Sequence, residues 1–387
     1  MANTLTIGYI TVDDPHDRRT WSGSNYYLMR ALERAGAKVV VLGPLRPQPI
    51  LFLCRLFNKL SLLLVGKRFH YRDSFIIAHA YKRILERRLK GVEADLLIAP
   101  AGLAAIAYLR TPIRIVHIND RSIRAALEYH VILKDLFDFS REQSLKLEQE
   151  ALFNASLTVY ASEWAAVAAR EAFPTIASRM HVIPMGANLE HLPPPPTARA
   201  FPTERLKLLM IGVDWENKGG QIAYNALMAL KRRGYPAQLV VCGCDVPEEF
   251  NDPDLVVEGF LSKEVPEERA QLEEHLRTAD FFILPTRFEA YGIAFCEAAA
   301  YGIPALGTRT GGVPTIVRDG ETGFLLDPGH SGAHYADRIQ ELVNDPARWH
   351  RMRTAARQRF DDHFTWDAFV RTLFAYALED GPVKSAR

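Results

Sequence analysis

The sequence has 387 residues, of which 47 are Lys or Arg and 46 are Asp or Glu, so its formal net charge is +1. A chain of this length is too long for one ordinary hydrophobic core and suits two domains of roughly 150 to 200 residues. The near-neutral balance excludes a global positive field that would attract nucleic acid, so no nucleic-acid partner is expected and any basic site must be local.

The first segment, MANTLTIGYITVDDP, has neither a basic n-region nor a long apolar h-region, so we expect a first strand there and not a secretory signal. The longest uncharged apolar stretch begins at Leu96, is shorter than the ~20 residues of a membrane span and contains Pro100 and Gly102. No transmembrane helix is therefore expected. Four cysteines lie at spacings that fit neither a metal site nor a disulfide framework, which indicates reduced thiols in a cytoplasmic protein.

Residues 1–192 alternate short apolar runs with helical patterns, which is typical of parallel strands joined by helical crossovers. The apolar runs are LTIGYIT, KVVVLG, DLLIAP, IRIVHI, LTVYAS and HVIPMG. The turn between the first run and the first helical pattern contains Gly23 and Ser24, where a missing side chain lets the backbone approach a ligand. We therefore predict an α/β domain. A glycine turn before a helix is common and does not by itself identify a ligand site.

Residues 46–90 form a strongly basic segment, with eleven Lys or Arg residues and two acids. Within it, LFLCRLFNKLSLLLVGKRFHYR mixes large apolar residues with cations such as Arg55 and Lys59. This composition is typical of a helix that lies on an anionic bilayer. It also fits an amphipathic helix that packs on the sheet and exposes a basic face to solvent. The sequence leaves both interpretations open.

The segment IRIVHINDRS has polar residues at the end of a predicted strand. His117 and Asn119 are two positions apart, so they project from the same face of the strand. Asp120 directly follows the carboxyl end of the strand, where parallel sheets bind their ligands. A histidine within a strand is as often a satisfied core residue as a ligand. The sequence therefore does not decide which of the three contacts a substrate.

A proline-rich segment at 193–203 divides the chain, because its prolines deny the backbone both helix and ladder hydrogen bonds. The alternation resumes after it with the runs LKLLMIG, AQLVVCG, DLVVEG, DFFILP and IPALGT. We predict a first domain at 1–192, a linker at 193–203 and a second doubly wound domain at 204–365. Two such sheets that face each other would place their ligand sites on one central cleft.

Two carboxylates stand eight positions apart in RFEAYGIAFCEAAAYGIPALGTRTGG, Glu289 on a predicted loop and Glu297 on the helix that follows. The first amides of that helix, near Gly292 and Ile293, are unpaired donors at the positive end of the helix dipole and suit a pyrophosphate. Carboxylates accept hydrogen bonds from hydroxyls and suit sugars. The acids could thus grip the two sugars of a nucleotide sugar. Alternatively, one acid favours the helix dipole and the other faces solvent.

The same region resembles the E-x7-E motif of retaining glycosyltransferases, specifically glycosyltransferase family 4. The resemblance rests on Glu289, Glu297 and Gly292, followed by EAAAYGIPALGTRTGGVPTIVRDGETGFLL with Gly311 and Gly312 at a turn. It also covers WSGSNYYLMRALERAGAKVVVLG, YASEWAAVAAREAF, HVIPMGANLE and GVDWENKGGQIAYNAL, and so extends over nearly the whole chain. It implies the GT-B fold, an α/β architecture of two Rossmann-like doubly wound domains that face a central cleft.

The resemblance implies roles for individual residues. In the family the first glutamate holds hydroxyls of the donor sugar and the second holds the ribose, which assigns these contacts to Glu289 and Glu297. A histidine-aspartate step over the reaction centre corresponds to Asn119 and Asp120, with His117 as a further candidate. The remaining expected donor contacts are Tyr291, Gly292, Ile293, Gly311, Gly312, Gly23 and Ser24.

The family also uses two cations to neutralise the leaving diphosphate. Lys218 in GVDWENKGG corresponds to the lysine, whereas Asp214 stands where an arginine is common. Preorganised positive charge at this point supplies much of the rate acceleration. We therefore expect Arg287 or Arg121 to replace the missing arginine.

The activity that the resemblance implies is the transfer of a hexosyl unit with retention from a UDP- or GDP-linked sugar, which is a substrate and not a cofactor. A leaving-group phosphate oxygen takes the acceptor proton, so neither a dedicated base nor a metal is expected. A glycan or lipid-linked acceptor would bind the first domain, and residues 46–90 would hold the protein at the inner face of a membrane. Residues 366–387 resemble the family's terminal helix, which crosses back to the first domain.

Other functions fit parts of the sequence. A nucleotide-sugar epimerase or a phosphorylase could use the same two-lobed fold, but those families lack this glutamate pair followed by Gly-Gly. A non-catalytic nucleotide-sugar-binding or scaffolding protein is suggested by Asp214, Asn119 and Thr315, which depart from the family pattern. The presence of Lys218 together with both glutamates favours the enzyme.

Overall fold

The structure is a computed structural model that describes residues 4–129, 135–196, 200–202 and 204–379. Its contacts divide the chain into two compact units. The first unit comprises residues up to Pro184 together with the segment from Trp366 onward, and the second unit is Met185–Thr365. Residues 197–199 and 203 of the predicted linker, and 380–387 of the predicted terminal segment, lie outside the described residues.

The boundary between the units precedes the proline-rich segment. Arg357 Nη1 donates to the carbonyl oxygens of Pro193 at 2.9 Å and Pro194 at 3.0 Å, and also to Ala300 O at 2.9 Å. Proline has no backbone donor, but its carbonyl oxygen still accepts. These bonds hold the start of the segment on the second unit. The first stretch of the first unit ends at Pro184, eight residues before the limit of 192 predicted from the sequence.

The first unit contains a six-stranded parallel sheet in the order β2-β1-β3-β4-β5-β6. Its strands are β1 (Thr6–Tyr9), β2 (Lys38–Val41), β3 (Leu96–Pro100), β4 (Ile115–Asn119), β5 (Leu157–Tyr160) and β6 (Met180–Val182). Its helices up to the unit boundary are α1 (Ser24–Arg34), α2 (Gln48–Val65), α3 (Phe75–Arg88), α4 (Leu103–Ile106), α5 (Ile123–Tyr129), α6 (Asp138–Asn154) and α7 (Glu163–Ala172). Three short 3-10 helices lie at Thr20–Gly23, Tyr71–Asp73 and Pro174–Arg179.

The second unit contains another six-stranded parallel sheet, in the order β12-β11-β10-β7-β8-β9. Its strands are β7 (Leu206–Ile211), β8 (Ala237–Cys242), β9 (Leu255–Gly259), β10 (Phe281–Leu284), β11 (Ala305–Thr308) and β12 (Gly323–Leu326). Its helices are α8 (Gly220–Arg232), α9 (Pro266–Thr278), α10 (Ile293–Ala300), α11 (Val313–Ile316), α12 (Gly332–Asn344) and α13 (Pro346–His363).

These sheets confirm the predicted α/β class with two doubly wound parallel sheets. Every apolar run singled out in the sequence forms a strand, because strands such as β4 and β10 are buried along their whole length and such strands have continuous apolar sequences. One strand, β12, was not predicted. In each sheet the strand order reverses direction once, between β1 and β3 and between β7 and β10, and these switch points are where doubly wound sheets bind ligands.

Helix α14 (Trp366–Glu379) follows the second unit in the chain but packs against α1 of the first unit. Arg34 Nη2 lies 2.6 Å from Asp367 Oδ1, and the rings of His181 and Tyr376 stack with their centroids 4.1 Å apart. The first unit is therefore built from two separate stretches of the chain.

Helix α2 exposes most of its apolar surface. It buries only three of its residues, Leu51, Cys54 and Ser61, whereas Leu63 is 72% and Leu64 81% exposed. Length and composition alone would allow α2 to cross a membrane, and no other described helix meets both criteria. The apolar stretch at Leu96, which was considered in the sequence, instead forms β3 and α4 inside the first unit.

Candidate active site

The switch point of the second sheet positions Lys218 and Glu289. Lys218 lies on the loop between β7 and α8, and Glu289 lies on the loop between β10 and α10. Because β7 and β10 are neighbouring parallel strands, their carboxyl ends open onto the same edge of the sheet. The two loops are joined there, since Arg287 N donates to Asn217 O at 2.7 Å and Thr286 Oγ1 donates to the same oxygen at 3.1 Å.

An ion pair connects the two candidate catalytic side chains. Lys218 Nζ donates to Glu289 Oε2 at 2.6 Å, and the side chains are 21% and 14% exposed. The pair is therefore largely shielded from water but reachable from the sheet edge. A cation and a hydrogen-bond acceptor in direct contact can together bind a phosphate and a neighbouring sugar hydroxyl.

Gly292 caps α10 with a left-handed backbone, at φ 104° and ψ 57°. A side chain there would be strained, and a Cβ would stand 2.8 Å from the ring of Phe295. The following amide at Ile293 begins α10 and offers a helix N-terminus of the kind that binds phosphate. Tyr291 is 4% exposed and its hydroxyl donates to Met185 O at 2.8 Å, so its side chain is committed to the core and only its backbone is left for a ligand.

The Gly311–Gly312 turn packs directly on the Glu289 loop. Gly312 N donates to Glu289 O at 3.1 Å, and a Cβ at Gly312 would stand 2.4 Å from Ala290 O. Only glycine allows this approach. The second unit thus brings together Lys218, Glu289, Tyr291, Gly292, Ile293, Gly311 and Gly312, all of which were predicted to bind the donor.

Glu297 lies on α10 and is 2% exposed, so it does not face solvent. Its carboxylate accepts a hydrogen bond from Lys263 Nζ, which also donates to Asn188 O at 3.1 Å. Lys263 was not singled out in the sequence, although it stands in EGFLSKE, a segment that begins at the end of β9 and continues into the loop before α9. Lys263 was not predicted because a lysine in a loop gives no periodic signal, and because its contact with Glu297 joins residues 34 positions apart.

Asp214, which stands at the position of the second cation in the family pattern, and Arg287, its predicted replacement, each have an acidic or amide partner in this structure. Asp214 caps its own loop, accepting from Asn217 N at 3.0 Å and from Asn217 Nδ2 at 2.5 Å, and the backbone hydrogen bond lowers the pKa of Asp214. Arg287 Nη1 lies 3.0 Å from Glu216 Oε1 on the surface. Its role in place of the missing arginine stays a prediction, as does that of Arg121 in the first unit.

In the first unit, the turn before α1 is fixed to Asp120. Trp21 Nε1 donates to Asp120 Oδ2 at 3.0 Å. Trp21 and Ser22 have left-handed backbones with φ 46° and 54°, and Gly23 follows with φ 88°. Left-handed residues other than glycine cost about 1–3 kcal/mol each and concentrate at functional sites. Trp21 was missed as a candidate, although it stands within WSGS, because its contact with Asp120 spans 99 positions.

His117 has the surroundings of a core histidine. It is 1% exposed, its Nδ1 lies 3.2 Å from Ala99 O, and burial lowers its pKa to about 4, so the imidazole is neutral. Asn119 is 9% exposed and its Oδ1 accepts from Asp120 N at 3.0 Å. Of the three candidates, Asp120 is the least buried. The catalytic assignments of His117 and Asp120 stay predictions.

A cavity of about 580 Å³ lies elsewhere in the second unit, against α13, and none of the predicted site residues lines it. Arg359, one of its lining residues, donates to the carbonyl oxygens of Thr315 at 2.6 Å and Ile316 at 2.9 Å. These bonds hold the end of α11, so the guanidinium serves the fold. The cavity is therefore not the candidate active site.

Two protein-family models match the chain, one before and one after the proline-rich segment begins. The model of Glycosyltransferase Family 4 matches residues 24–191, and the model of Glycosyl transferases group 1 matches residues 196–359. The chain belongs to glycosyltransferase family 4, as the E-x7-E region predicted.

Curated relatives and solved structures agree with this assignment. The chain is 31% identical over 223 residues to D-inositol 3-phosphate glycosyltransferase 1 of Catenulispora acidiphila, which is 52% of this chain and 53% of that protein. It is 32% identical over 100 residues to sucrose synthase of Denitrovibrio acetiphilus, which is 25% of this chain and 13% of that protein. The chain spans about half the length, or less, of the curated relatives it matches.

Two solved structures share the fold over nearly the whole chain. Sucrose-phosphate synthase from Thermosynechococcus elongatus superposes with a TM-score of 0.66 at 18% identity, covering 96% of this chain and 99% of that one. Anabaena HepE in complex with UDP-glucose superposes with a TM-score of 0.62 at 15% identity, covering 97% and 99%. These matches confirm the GT-B fold.

Proposed function

We propose that this chain is a retaining glycosyltransferase that moves a hexosyl unit from a nucleotide sugar to a glycan or lipid-linked acceptor without a bound metal. The observation that carries the proposal is the Lys218–Glu289 ion pair at 2.6 Å, at the switch point of the second sheet and next to the N-terminus of α10. Membership of family 4 supplies the reaction class.

Lys218 would neutralise the leaving diphosphate. As the bond between the sugar and the diphosphate breaks, negative charge grows on the phosphate oxygens, and a cation already in place stabilises it without reorganisation. Glu289 holds the ammonium in a largely shielded position before the donor arrives. The amide at Ile293 would add a dipolar contribution at the same phosphates.

Glu289 and Glu297 would hold the two sugars of the donor. An ionised carboxylate only accepts hydrogen bonds, which suits hydroxyl groups. Glu289 next to Lys218 fits the hexose beside the leaving phosphate, and the buried Glu297 on α10 fits the ribose. The glycines between and beside them leave the backbone free to approach the diphosphate.

Membership of family 4 supports the proposal that transfer occurs with retention. The C1–O bond to the diphosphate breaks, the acceptor oxygen bonds to C1 on the same face, and the acceptor proton passes to the leaving phosphate oxygen. No further base or oxidant is needed. Asp120, held by Trp21, would orient an acceptor or sugar hydroxyl from the first unit.

UDP is the first donor nucleotide to test, with GDP second. The solved structure of HepE, which shares this fold, contains UDP-glucose. A thermal-shift screen with UDP, GDP, ADP and their sugars would identify the nucleotide, because a ligand that binds only the native state raises stability by mass action.

Donor hydrolysis would test the activity. We expect slow release of hexose from the correct nucleotide sugar by the purified protein in the presence of a chelator, and loss of this release in Glu289→Gln. The Lys231→Met variant is a matched control, because Lys231 pairs with Asp252 on the same unit outside the candidate site. Protein that binds the nucleotide sugar but never hydrolyses or transfers it would contradict the enzyme.

Helix α2 would hold the protein at the cytoplasmic face of an anionic membrane. Nine large apolar side chains of α2 are exposed, Leu64 at 81% among them. Arg55 and Lys59 on the same helix are also exposed and would contact lipid phosphates. Contiguous exposed apolar surface of this kind marks an interaction site. It favours a lipid contact over a helix packed on the sheet.

Flotation with liposomes would test the membrane contact. We expect salt-sensitive binding to vesicles that contain phosphatidylglycerol, and loss of binding in Leu63→Glu/Leu64→Glu, because these side chains are 72% and 81% exposed and do not stabilise the fold. Equal binding to neutral vesicles, or none to anionic ones, would contradict the proposal.

A non-catalytic nucleotide-sugar-binding protein is the second candidate. It is favoured by Asp214, whose carboxylate caps a loop where the family commonly has an arginine. Such a protein would keep nucleotide affinity and show neither hydrolysis nor transfer.

A further inference from the structure

The carboxylate of Glu297 is deeply buried and has one cationic partner. Glu297 is 2% exposed, and Lys263 Nζ donates to its Oε1. A buried carboxylate is costly unless it is paired and hydrogen-bonded. Among the described residues no donor bonds Oε2, so one oxygen of the carboxylate is committed to Lys263 and the other is open.

The loop between β9 and α9 sets the position of the Lys263 ammonium. Ser262 N donates to Glu268 Oε2 at 2.6 Å, and Arg269 Nη1 donates to Lys263 O at 3.2 Å, so two residues of α9 hold the loop on either side of the lysine. The ammonium also donates to Asn188 O at 3.1 Å. Lys263 is thus fixed at both its backbone and its head group.

We propose that Lys263 is a positioning residue for the nucleotide ribose. It fixes the Glu297 carboxylate through Oε1 and leaves Oε2 to accept from the ribose hydroxyls. Lys263 acts through Glu297 and does not itself contact the ribose. This inference rests on the proposed function, because it requires a nucleotide donor at α10.

A positioning role and a purely structural role have different consequences. Without Lys263 the buried carboxylate has no countercharge, and it must turn toward another donor or toward water. The hydrogen bonds to the ribose hydroxyls then weaken, whereas contacts of Lys218 and the α10 amides with the diphosphate are unchanged. If Lys263 were only a structural residue, its loss would instead weaken the binding of every nucleotide by the same factor.

Calorimetric titration with two ligands separates these cases. The ligands are the nucleoside diphosphate found by the thermal-shift screen and its 2′,3′-dideoxy analogue. The wild-type protein should prefer the ribonucleotide by about tenfold or more, since a site built to bond hydroxyls discriminates against their absence. In Lys263→Met this preference should fall to about threefold or less, with affinity for the dideoxy analogue nearly unchanged.

Three further variants complete the test. Lys263→Arg keeps a cation and should restore part of the preference. Lys231→Met removes a lysine of α8 that pairs with Asp252, and this variant should keep the full preference for the ribonucleotide. In a Glu297→Gln background, Lys263→Met should have no further effect on the preference for the ribonucleotide, because both changes act on one interaction.

The result that overturns the inference is an unchanged ribose preference in Lys263→Met, or an equal loss of affinity for both nucleotides. A wild-type protein that binds nucleoside diphosphates without any ribose preference would also overturn it, while leaving the proposed function intact. A wild-type protein that binds no nucleoside diphosphate would refute the proposed function and this inference with it.

Discussion

Two lysines balance the two acids of the candidate site, and they do so from different loops. Lys218 lies 71 positions from Glu289, and Lys263 lies 34 positions from Glu297. Both acids were predictable because they stand eight positions apart in one stretch of sequence, and Lys218 was predicted from the resemblance of GVDWENKGG to the family. Lys263 was not predictable in this way, because its contact depends on how the loop after β9 approaches α10.

Replacement of Lys218 should separate turnover from binding. In Lys218→Met we expect kcat to fall by about 10² or more, because the cation acts on charge that develops in the transition state, while Kd for the nucleoside diphosphate rises by less than about tenfold. Single-turnover rates and calorimetric titration would measure the two quantities. Lys218→Arg is the matched control, and its kcat should fall by less because it keeps a cation. An equal loss of kcat and affinity in Lys218→Met would contradict the role of Lys218 at the leaving diphosphate.

At the scale of elements, a buried acid on α6 fixes the segment that follows Asp120. Glu148 is 1% exposed, and its carboxylate accepts from Ile123 N at 2.6 Å and Arg124 N at 3.3 Å at the start of α5. Burial raises the pKa of Glu148 to about 7. The charged form is thus disfavoured in the folded protein, even though two backbone donors partly offset the cost.

This raised pKa gives Glu148 a measurable effect on stability. The folded state binds more protons than the unfolded state between pH 4.5 and about 7, so the contribution of Glu148 to stability falls as pH rises through this window. Glu148→Gln does not titrate. Its melting temperature should therefore improve relative to wild type as pH rises from 5 to 8, and differential scanning calorimetry would measure the difference.

A constant difference between the Glu148→Gln and wild-type melting temperatures across this range would show that the acid is not buried as described. His117 titrates in the opposite sense, because burial lowers its pKa to about 4. Since His117 is present in both proteins, its effect cancels in the comparison.

The elements themselves were largely predictable, because their signals are local. Strands such as β4 and β10 are buried throughout and so have continuous apolar sequences. The exception was β12, whose sequence GFLL begins with a glycine and continues directly from the turn before it, so it was not identified as a separate strand. The function of α2 was left open for a different reason. Its mixture of leucines and cations fits either a packed or an exposed helix, and only the exposure of Leu63 and Leu64 favours one of them.

At the scale of the whole molecule, the candidate donor-binding residues of the second unit belong to one continuous stretch, Met185–Thr365. Lys218, Lys263, Glu289 and Glu297 all lie within it, together with the strands that position them. The first unit, by contrast, is completed by α14 from beyond this stretch.

We therefore expect the fragment 185–365 to bind the nucleoside diphosphate within about tenfold of the affinity of the full chain. It should have no transferase activity, because Asp120, which is proposed to orient the acceptor, belongs to the first unit. Circular dichroism would establish that the fragment is folded, and calorimetric titration would measure its affinity. A folded fragment that does not bind would place essential donor contacts on the first unit.

The position of α14 in the chain also determines the order in which the two units can be completed during translation. At typical translation rates of 5–20 residues per second, roughly 10 to 40 seconds separate the emergence of β6 from that of α14. During this interval the face of α1 that later packs on α14 has no partner, while the second unit can fold as a continuous segment. The unit that emerges first is therefore completed last, and a chain truncated after α13 would combine a complete second unit with a first unit whose α1 exposes the face that α14 covers.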